Sequence, residues 1–564
     1  MPTKKKTMPI GVDNFKDLIA KNYYFVDKTR FIKELLDGHS AVTLLTRPRR
    51  FGKTLTLSML RYFFTLEKAE ENRALFAGLD IEKAGEEYMQ AQGSRPVIFL
   101  SLKEVQQDSF AAELEKMALF LSKLYQEYPF LPDSPSMNET NRKAFHQIVN
   151  HAANQSTMEN ALADLCHYLY LHYGQKPLLL LDEYDAPIIA SWEHGYYQDC
   201  ILFMKRFLGA ALKTNDYLDF AVLTGVSRVS KESIFSDLNN LNVCTVLSEK
   251  YCDILGFTEP EAQKLMEDNG VGDNMPELKK WYDGYKFGYS EIYNPWSVIK
   301  YVDSGCRFQP YWLNTSGNVI LRKLLDIADE NRRAELTGLM QDKYVTAFID
   351  EGVIYPDIEQ NDNALYMMLL TTGYLKAIET FYDESGEEWP TCHLLIPNKE
   401  LRIVYRKEII GYLTPKSGGL AARFMLRAML AGDAATFQKY LQDILREVVS
   451  YHDTAKQPEN FYHGFLLGLT VLMLHDYRIE SNRESGYGRF DLAFFPINKN
   501  SPGVILELKA AKGITTEEEL MPLAEKALAQ ISDKEYITEL KQQGVENIWW
   551  YGVAFGGKRV ALAM

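Results

Sequence analysis

Gly52-Lys53-Thr54 is where residue types and spacing first suggest chemistry. Residues 41–45 (AVTLL) have strand character, a short basic turn follows, and an apolar-periodic helical pattern begins at the tripeptide. Strand, turn and helix in that order make a phosphate cradle, because N–H groups of the turn and the helix N-terminus face the anion. Lys53 would reach the β and γ oxygens of a nucleotide, and the Thr54 hydroxyl would hold Mg²⁺. Arg50, Phe51, Gly52 and Leu55 complete the segment expected to contact it. Arg47 stands where the general pattern has glycine, and Arg49 and Arg50 add charge. A basic turn that merely starts a helix is the plainer alternative.

Residues 178–183 (LLLLDE) supply the second half of such a site. Four apolar residues indicate a strand buried on both faces. Asp182 at its tip would enter the Mg²⁺ shell, and Glu183 would orient and deprotonate the attacking water. A further strand, 219–224, ends in Gly225-Val226-Ser227-Arg228. Strand tips of an open parallel sheet line the ligand crevice, so Thr224 or Ser227 would sense the γ-phosphate. Arg228 would neutralise charge there, in cis or toward a neighbouring subunit, unless it is simply solvated. Phe25, Asp27 and Lys28 precede the first strand. They belong either to the adenine side or to an ordinary packed helix.

A second constellation lies near the C-terminus. Asp491 begins one strand of an expected hairpin, and the next strand reads VILELK, with Glu507 and Lys509. Period-two geometry puts Glu507 and Lys509 on one face, with Leu506 and Leu508 on the other. Charges inside an apolar strand carry a desolvation cost that ion pairing or a metal offsets. Asp491 and Glu507 are hard oxygen ligands suited to Mg²⁺ or Mn²⁺. Lys509 would orient the water that attacks a phosphodiester, or stabilise developing charge. Glu459 would add an outer carboxylate. The competing reading is an edge strand with a solvated Glu/Lys face.

The elements that must position these residues follow from the same patterns. Alternation of apolar strands and helices from 41 to 224 implies a parallel sheet covered on both faces. The aromatic stretch 281–296 (WYDGYKFGYSEIYNPW) suits a packed lid better than a base-stacking platform. Residues 373–395 read as a hairpin turning at 383–386, and 418–451 as two amphipathic helices. Around the second constellation stand an apolar helix over 459–474 (ENFYHGFLLGLTVLML) and a later helix bearing Gln530, with Tyr536 beyond it.

Composition narrows the classes. At 564 residues the chain exceeds one ordinary core, so about two to four domains are expected. Its net charge of −14 and pI near 5.4 exclude a whole-surface basic footprint for nucleic acid, leaving room for a local one. The six cysteines form no CxxC pair, which suggests neither a zinc site nor a disulfide framework. The N-terminal MPTKKKTMPIG lacks the apolar core of a signal peptide. No apolar run approaches the roughly 18 residues of a membrane span. A cytoplasmic protein is the default expectation.

RFDL and VILELK, with the FYHGF helix before them and Gln530 after, resemble the PD-(D/E)XK nuclease superfamily. Phe490 stands beside Asp491 where that name has proline. VDKT, RPRRFGKT, LLLLDEYD, WYDGY and YNPW resemble the predicted AAA-ATPase family found fused to such nuclease-like domains. The resemblance implies that Lys53 and Thr54 bind nucleotide, that Asp182 and Glu183 act on Mg²⁺ and water, and that Asp491, Glu507 and Lys509 form a nuclease triad. The expected fold is an α/β P-loop NTPase parallel sheet with lid (1–300), a mainly helical connector (301–452), and a restriction-endonuclease-like mixed α/β domain (453–564). The expected function is ATP binding and hydrolysis coupled to a metal-dependent nuclease-like domain acting on DNA or RNA. A homo-oligomer would be natural if Arg228 serves a neighbour. The alternative is a nucleotide-switched interaction module whose nuclease-like domain binds nucleic acid or protein without cutting.

Overall fold

The computed structural model describes residues 5–228, 241–312, 321–322, 330–353, 355–359, 361–381, 390–417, 419–448, 458–485, 488–511, 513, 516–533 and 537–564. It divides into two compact units. One comprises Met1–Asn314 with Thr346–Glu400, and the other Thr315–Val345 with Leu401–Met564.

The first unit is built on five parallel strands: β1 (Val42–Thr46), β2 (Val97–Ser101), β3 (Leu178–Asp182), β4 (Ala221–Gly225) and β5 (Leu241–Cys244). Their order is β2-β3-β4-β1-β5. β1, β3 and β4 are buried at every position, as their apolar sequences require of strands covered on both faces. Helix Lys53–Phe64 follows β1 and buries Leu57, Leu60, Phe63 and Phe64 in one core with Leu45, Leu178, Leu180 and Val222. The strand order places β4 between β1 and β3. The tips of all three strands therefore converge, and the residues of 46–54, 182–185 and 224–227 meet at one sheet edge.

Beyond this sheet, β6 (Phe257–Thr258), β7 (Tyr285–Phe287) and β8 (Ser290–Tyr293) form an antiparallel sheet ordered β6-β8-β7. Tyr282, Tyr285 and Tyr293 of the aromatic stretch are buried in packing. Phe51 sits against Tyr285 and Phe287, with ring centroids 4.9 and 5.2 Å away. A third sheet, β10-β11-β9, contains β9 (Val345–Phe348), β10 (Lys376–Phe381) and β11 (Thr391–Leu395). β10 and β11 are antiparallel, and the turn expected at 383–386 lies outside the described residues.

The second unit contains a five-stranded mixed sheet of β12 (Tyr477–Ser485), β13 (Gly488–Pro496), β14 (Gly503–Ala510), β15 (Ile548–Gly556) and β16 (Arg559–Ala563), in chain order. Only β14 and β15 run parallel. Helix Glu517–Asp533 covers one face, with Leu520 and Ala524 on Ala554 and Ala561, and Ile531 on Ile505. The other face is covered from upstream in the chain. The Tyr551 hydroxyl donates to Met429 O at 2.7 Å, the Trp549 indole donates to Leu430 O at 3.0 Å, and Tyr462 stacks on Phe555 at 4.2 Å.

Helices Leu420–Ala431 and Ala434–Val448 are thus part of the second unit. The segment expected to be one helical connector, 301–452, is shared between the units, because a sheet apolar on both faces needs helices on both. Helix Ala434–Val448 also protects the sheet's edge. Gln438 and Gln442 accept the Leu562 and Val560 N–H groups at 3.0 and 3.3 Å, satisfying donors that an edge strand leaves open.

Candidate nucleotide and phosphodiester sites

In the first unit, Gly52 takes a left-handed φ of 87° as the N-cap of helix Lys53–Phe64, and Arg50 has a φ of 72°. These two left-handed residues lie in the turn between β1 and the helix. The Lys53 ammonium is buried and donates to Arg47 O at 2.8 Å and Pro48 O at 2.9 Å. Burial lowers its pKa from the ordinary lysine value, against the opposing pull of Asp182 and Glu183. Thr54 Oγ1 donates to Asp182 Oδ2 at 2.6 Å, and Thr224 Oγ1 donates to Asp182 Oδ1. Tips of β3 and β4 and the first turn of the helix are therefore joined at one buried carboxylate. A hydroxyl and a carboxylate at this spacing are hard oxygen donors that fit Mg²⁺.

Glu183 follows in the left-handed region, φ 49°, a sparsely populated conformation for a non-glycine residue. Burial and the charge of Asp182 raise its pKa above the usual carboxylate value. Asp185, two residues on, is a residue the sequence reading passed over. Its Oδ2 accepts the Val226 and Ser227 N–H groups at 2.8 and 2.9 Å, fixing the turn after β4. Its position in LLLLDEYD, one turn past a strand tip, is the signal that could have found it. Gly225 permits this closeness: a Cβ there would stand 2.6 Å from the Tyr184 ring and 2.9 Å from Asp185 Oδ1. Ser227 also meets Tyr355, hydroxyl to hydroxyl, at 2.9 Å. Arg228 is half-buried directly after it.

Arg47, the departure from the general loop pattern, is a staple. It is fully buried, and its guanidinium donates to Thr46 O, Cys244 O, Thr245 O and Tyr251 O at 2.6–3.0 Å. Burial brings its pKa down to about 10. Arg50 lies over the Trp296 ring at 4.5 Å. Leu55 packs against the core. Lys28 pairs with Glu261 at 2.6 Å and Asp253 O at 2.7 Å, while Asp27 caps Thr29 N at 2.9 Å. These contacts give Lys28 and Asp27 bracing roles.

In the second unit, β13 and β14 pair Leu492 with Leu506. One further step of that antiparallel register sets Asp491 opposite Glu507 on the same face. Asp491 Oδ2 accepts the Leu508 N–H at 2.7 Å. Glu507 is buried, and its Oε1 accepts Lys509 Nζ at 3.2 Å and the Gln530 amide of helix Glu517–Asp533. Glu459 Oε1 stands 3.8 Å from Lys509 Nζ. Burial lowers the Lys509 pKa, but the charge and hydrogen bond of Glu507 outweigh it, and the ammonium ends above its usual range.

The structure thus brings Asp491, Glu507, Lys509 and Gln530 together, with Glu459 at their rim, while Tyr536 lies outside the described residues. Two carboxylates sharing a face fit a divalent ion by donor chemistry. Among the described residues, no group of three or more His, Cys, Asp and Glu converges as a metal cluster. His463, a lone histidine in an apolar helix and overlooked in the sequence, places Nε2 3.1 Å from Asp491 O and 3.0 Å from Ser481 Oγ. It holds the backbone beneath Asp491.

Fold and sites together define a phosphate-loop α/β unit joined in one chain to a unit of nuclease-type mixed sheet. Residues 9–235 match the family described as predicted AAA-ATPase, and residues 457–563 match the PD-(D/E)XK nuclease superfamily, so one chain carries matches to both. An uncharacterized protein in the vnfD 5′ region of Azotobacter chroococcum mcd 1 is 27% identical over 561 residues, covering 98% of this chain and 96% of that one. No helix among the described residues is long and apolar enough to cross a membrane.

Proposed function

We propose that the chain binds and hydrolyses ATP at Lys53, Thr54, Asp182 and Glu183, and cuts nucleic-acid phosphodiesters at Asp491, Glu507 and Lys509. The observation that carries this reading is the meeting of Asp491, Glu507 and Lys509 on one face of β13 and β14. A buried glutamate held between a lysine and an amide is costly as mere structure. It is useful where a hard cation or a developing charge must be bound.

In this reading Lys53 leaves the loop carbonyls for the β and γ oxygens, and Asp182 with Thr54 holds Mg²⁺. Glu183, its pKa raised, orients the attacking water and takes its proton. Thr224 and Ser227 sense the γ-phosphate, and Arg228 neutralises charge beside it. Arg50, Phe51, Gly52 and Leu55 line the nucleotide. At the second site Asp491 and Glu507 hold Mg²⁺ or Mn²⁺, which when bound activates water and neutralises the phosphate. Lys509 steadies the attacking water.

The test is cleavage of single-stranded, duplex and circular DNA and of RNA by the full chain with Mg²⁺ or Mn²⁺, with and without ATP. Cutting that disappears in Glu507→Ala supports the reading. Intact substrates under every condition overturn the nuclease half.

A further inference from the structure

Helix Leu420–Ala431 buries Ala422, Met425, Leu426, Ala428 and Met429 on one side. Its other side exposes Leu420, Arg423, Phe424 and Arg427, at helical spacings of three and four that form one continuous stripe. Phe424 is 39% exposed and stacks on Tyr440 of helix Ala434–Val448, with ring centroids 5.4 Å apart. Lys439 reaches over the Tyr440 ring. A stacked aromatic pair therefore lies beside Lys439 and on the same helix as exposed Arg423 and Arg427, with Asp433 exposed between the two helices.

The segment leading into and through helix Leu420–Ala431 is basic, whereas helix Ala434–Val448 and its link carry Asp433, Asp443 and Glu447 beside Lys439 and Arg446. Residues 402–427 contain six basic residues and one acidic residue, in a protein of net charge −14. The acidic one, Glu408, is buried and paired with Arg322, and Arg402 is paired with Asp342. Arg406 feels Arg423 as a like charge, with Asp476 the opposing acid, and its Nε is buried without a hydrogen-bond partner. Lys407, Lys416, Arg423 and Arg427 are exposed. A fold stabilised only by its own contacts gains nothing from gathering like charges, whereas a polyanion relieves them.

We propose that this face, Arg406, Arg423, Phe424, Arg427 and Tyr440, binds single-stranded nucleic acid. The proposal rests on the nuclease reading for its purpose, though not for its observations. Guanidinium groups take the backbone phosphates, and the Phe424–Tyr440 pair offers a sequence-tolerant surface for a base. An anionic membrane would also suit an exposed Leu-Phe-Arg stripe, but the aromatic pair edged by cations fits stacked bases better.

The test is fluorescence anisotropy of a labelled oligothymidylate with the full chain in EDTA, so that binding is read without cutting. Arg423→Glu with Arg427→Glu should weaken binding on the order of tenfold and flatten the slope of log K against log salt by about 1.4. Phe424→Ala should weaken it about tenfold with the slope unchanged. Arg423→Gln with Arg427→Gln serves as the milder pair, and unchanged thermal unfolding shows that each variant is folded. Wild-type affinity retained by the reversed pair overturns the proposal, as does binding of phosphatidylserine vesicles in place of the oligonucleotide. Cleavage measured separately with Mg²⁺ distinguishes the two readings. Charge-dependent binding without cutting sinks the nuclease and keeps this face, and cutting alongside oligonucleotide binding indifferent to Arg423 and Arg427 does the reverse.

Discussion

Gly552 lies beside Glu507, in register on the adjacent parallel strands β15 and β14. A Cβ at Gly552 would stand 2.0 Å from Ala524 O and 2.4 Å from Leu528 N. The backbone of helix Glu517–Asp533 therefore rests directly on the strand, one strand away from the buried glutamate. That close approach brings Gln530 down onto Glu507.

Gly552→Ala should lift this helix, because the clash is with backbone and no flexible side chain can yield. The expected cost is about 1–3 kcal/mol, as for other overpacked interiors, measured by denaturant unfolding. Cleavage should fall with it, since Gln530 leaves Glu507, while nucleotide affinity at Lys53 stays as in the wild type. A variant as stable and as active as the parent would show that Gln530 is not held by this contact.

Glu183→Gln should separate nucleotide binding from hydrolysis. The Thr54–Asp182 hydrogen bond and the Lys53 ammonium remain, so ATP should still bind. Loss of the general base should slow turnover about 10²–10⁴-fold. Lys53→Met should instead abolish binding. Equilibrium binding of a fluorescent ATP analogue and phosphate release under single-turnover conditions distinguish the two variants. Turnover indifferent to Glu183→Gln would remove the role given to that carboxylate.

Arg47→Gly would bring the loop closer to the general phosphate-loop pattern, and should nevertheless destabilise the protein. The guanidinium serves four backbone carbonyls from Thr46, Cys244, Thr245 and Tyr251. Each buried acceptor left without a donor costs about 1–3 kcal/mol, so a loss of several kcal/mol is expected in urea unfolding. Arg47→Lys should recover only part of it, since one ammonium cannot reproduce the planar fork.

The sequence made the chemistry-bearing tips legible and left their connections obscure. Residues 41–45 and 178–181 are apolar runs ending in Gly-Lys-Thr and Asp-Glu, so strand and site were read together. That Glu507 and Lys509 share a face followed from period two, and that Asp491 lies on the neighbouring strand followed from a short hairpin. What stayed hidden was non-local. Nothing near Arg47 indicates that its side chain crosses to the end of β5 and the residues beyond. The amphipathic stripes of 418–451 announce a buried face, yet not the sheet that buries it. Gln438 and Gln442 look like solvated polar residues until an edge strand lies beside them.

Glu400 provides a pH test of the first unit. Its carboxylate is fully buried and accepts the Ser297 hydroxyl at 2.8 Å and the Trp312 N–H at 2.8 Å. Burial dominates these hydrogen bonds and pushes its pKa up to about 7, from 4.5. A carboxyl with a raised folded-state pKa binds its proton more tightly in the native state than in the unfolded chain. Its contribution is therefore fully present below pH 4.5 and is lost as pH rises through 7. The size of the swing is on the order of 3 kcal/mol, at about 1.4 kcal/mol per unit. Glu400→Gln keeps an acceptor for Trp312 and carries no charge. It should match the wild type near pH 5 and exceed it in stability near pH 8, in urea titrations across that range. The difference between the two curves isolates Glu400 from other titrating groups such as Asp283, whose pKa burial raises to about 6. Parallel curves would mean that the charge at residue 400 is accommodated without penalty, and that its burial has been relieved by solvent.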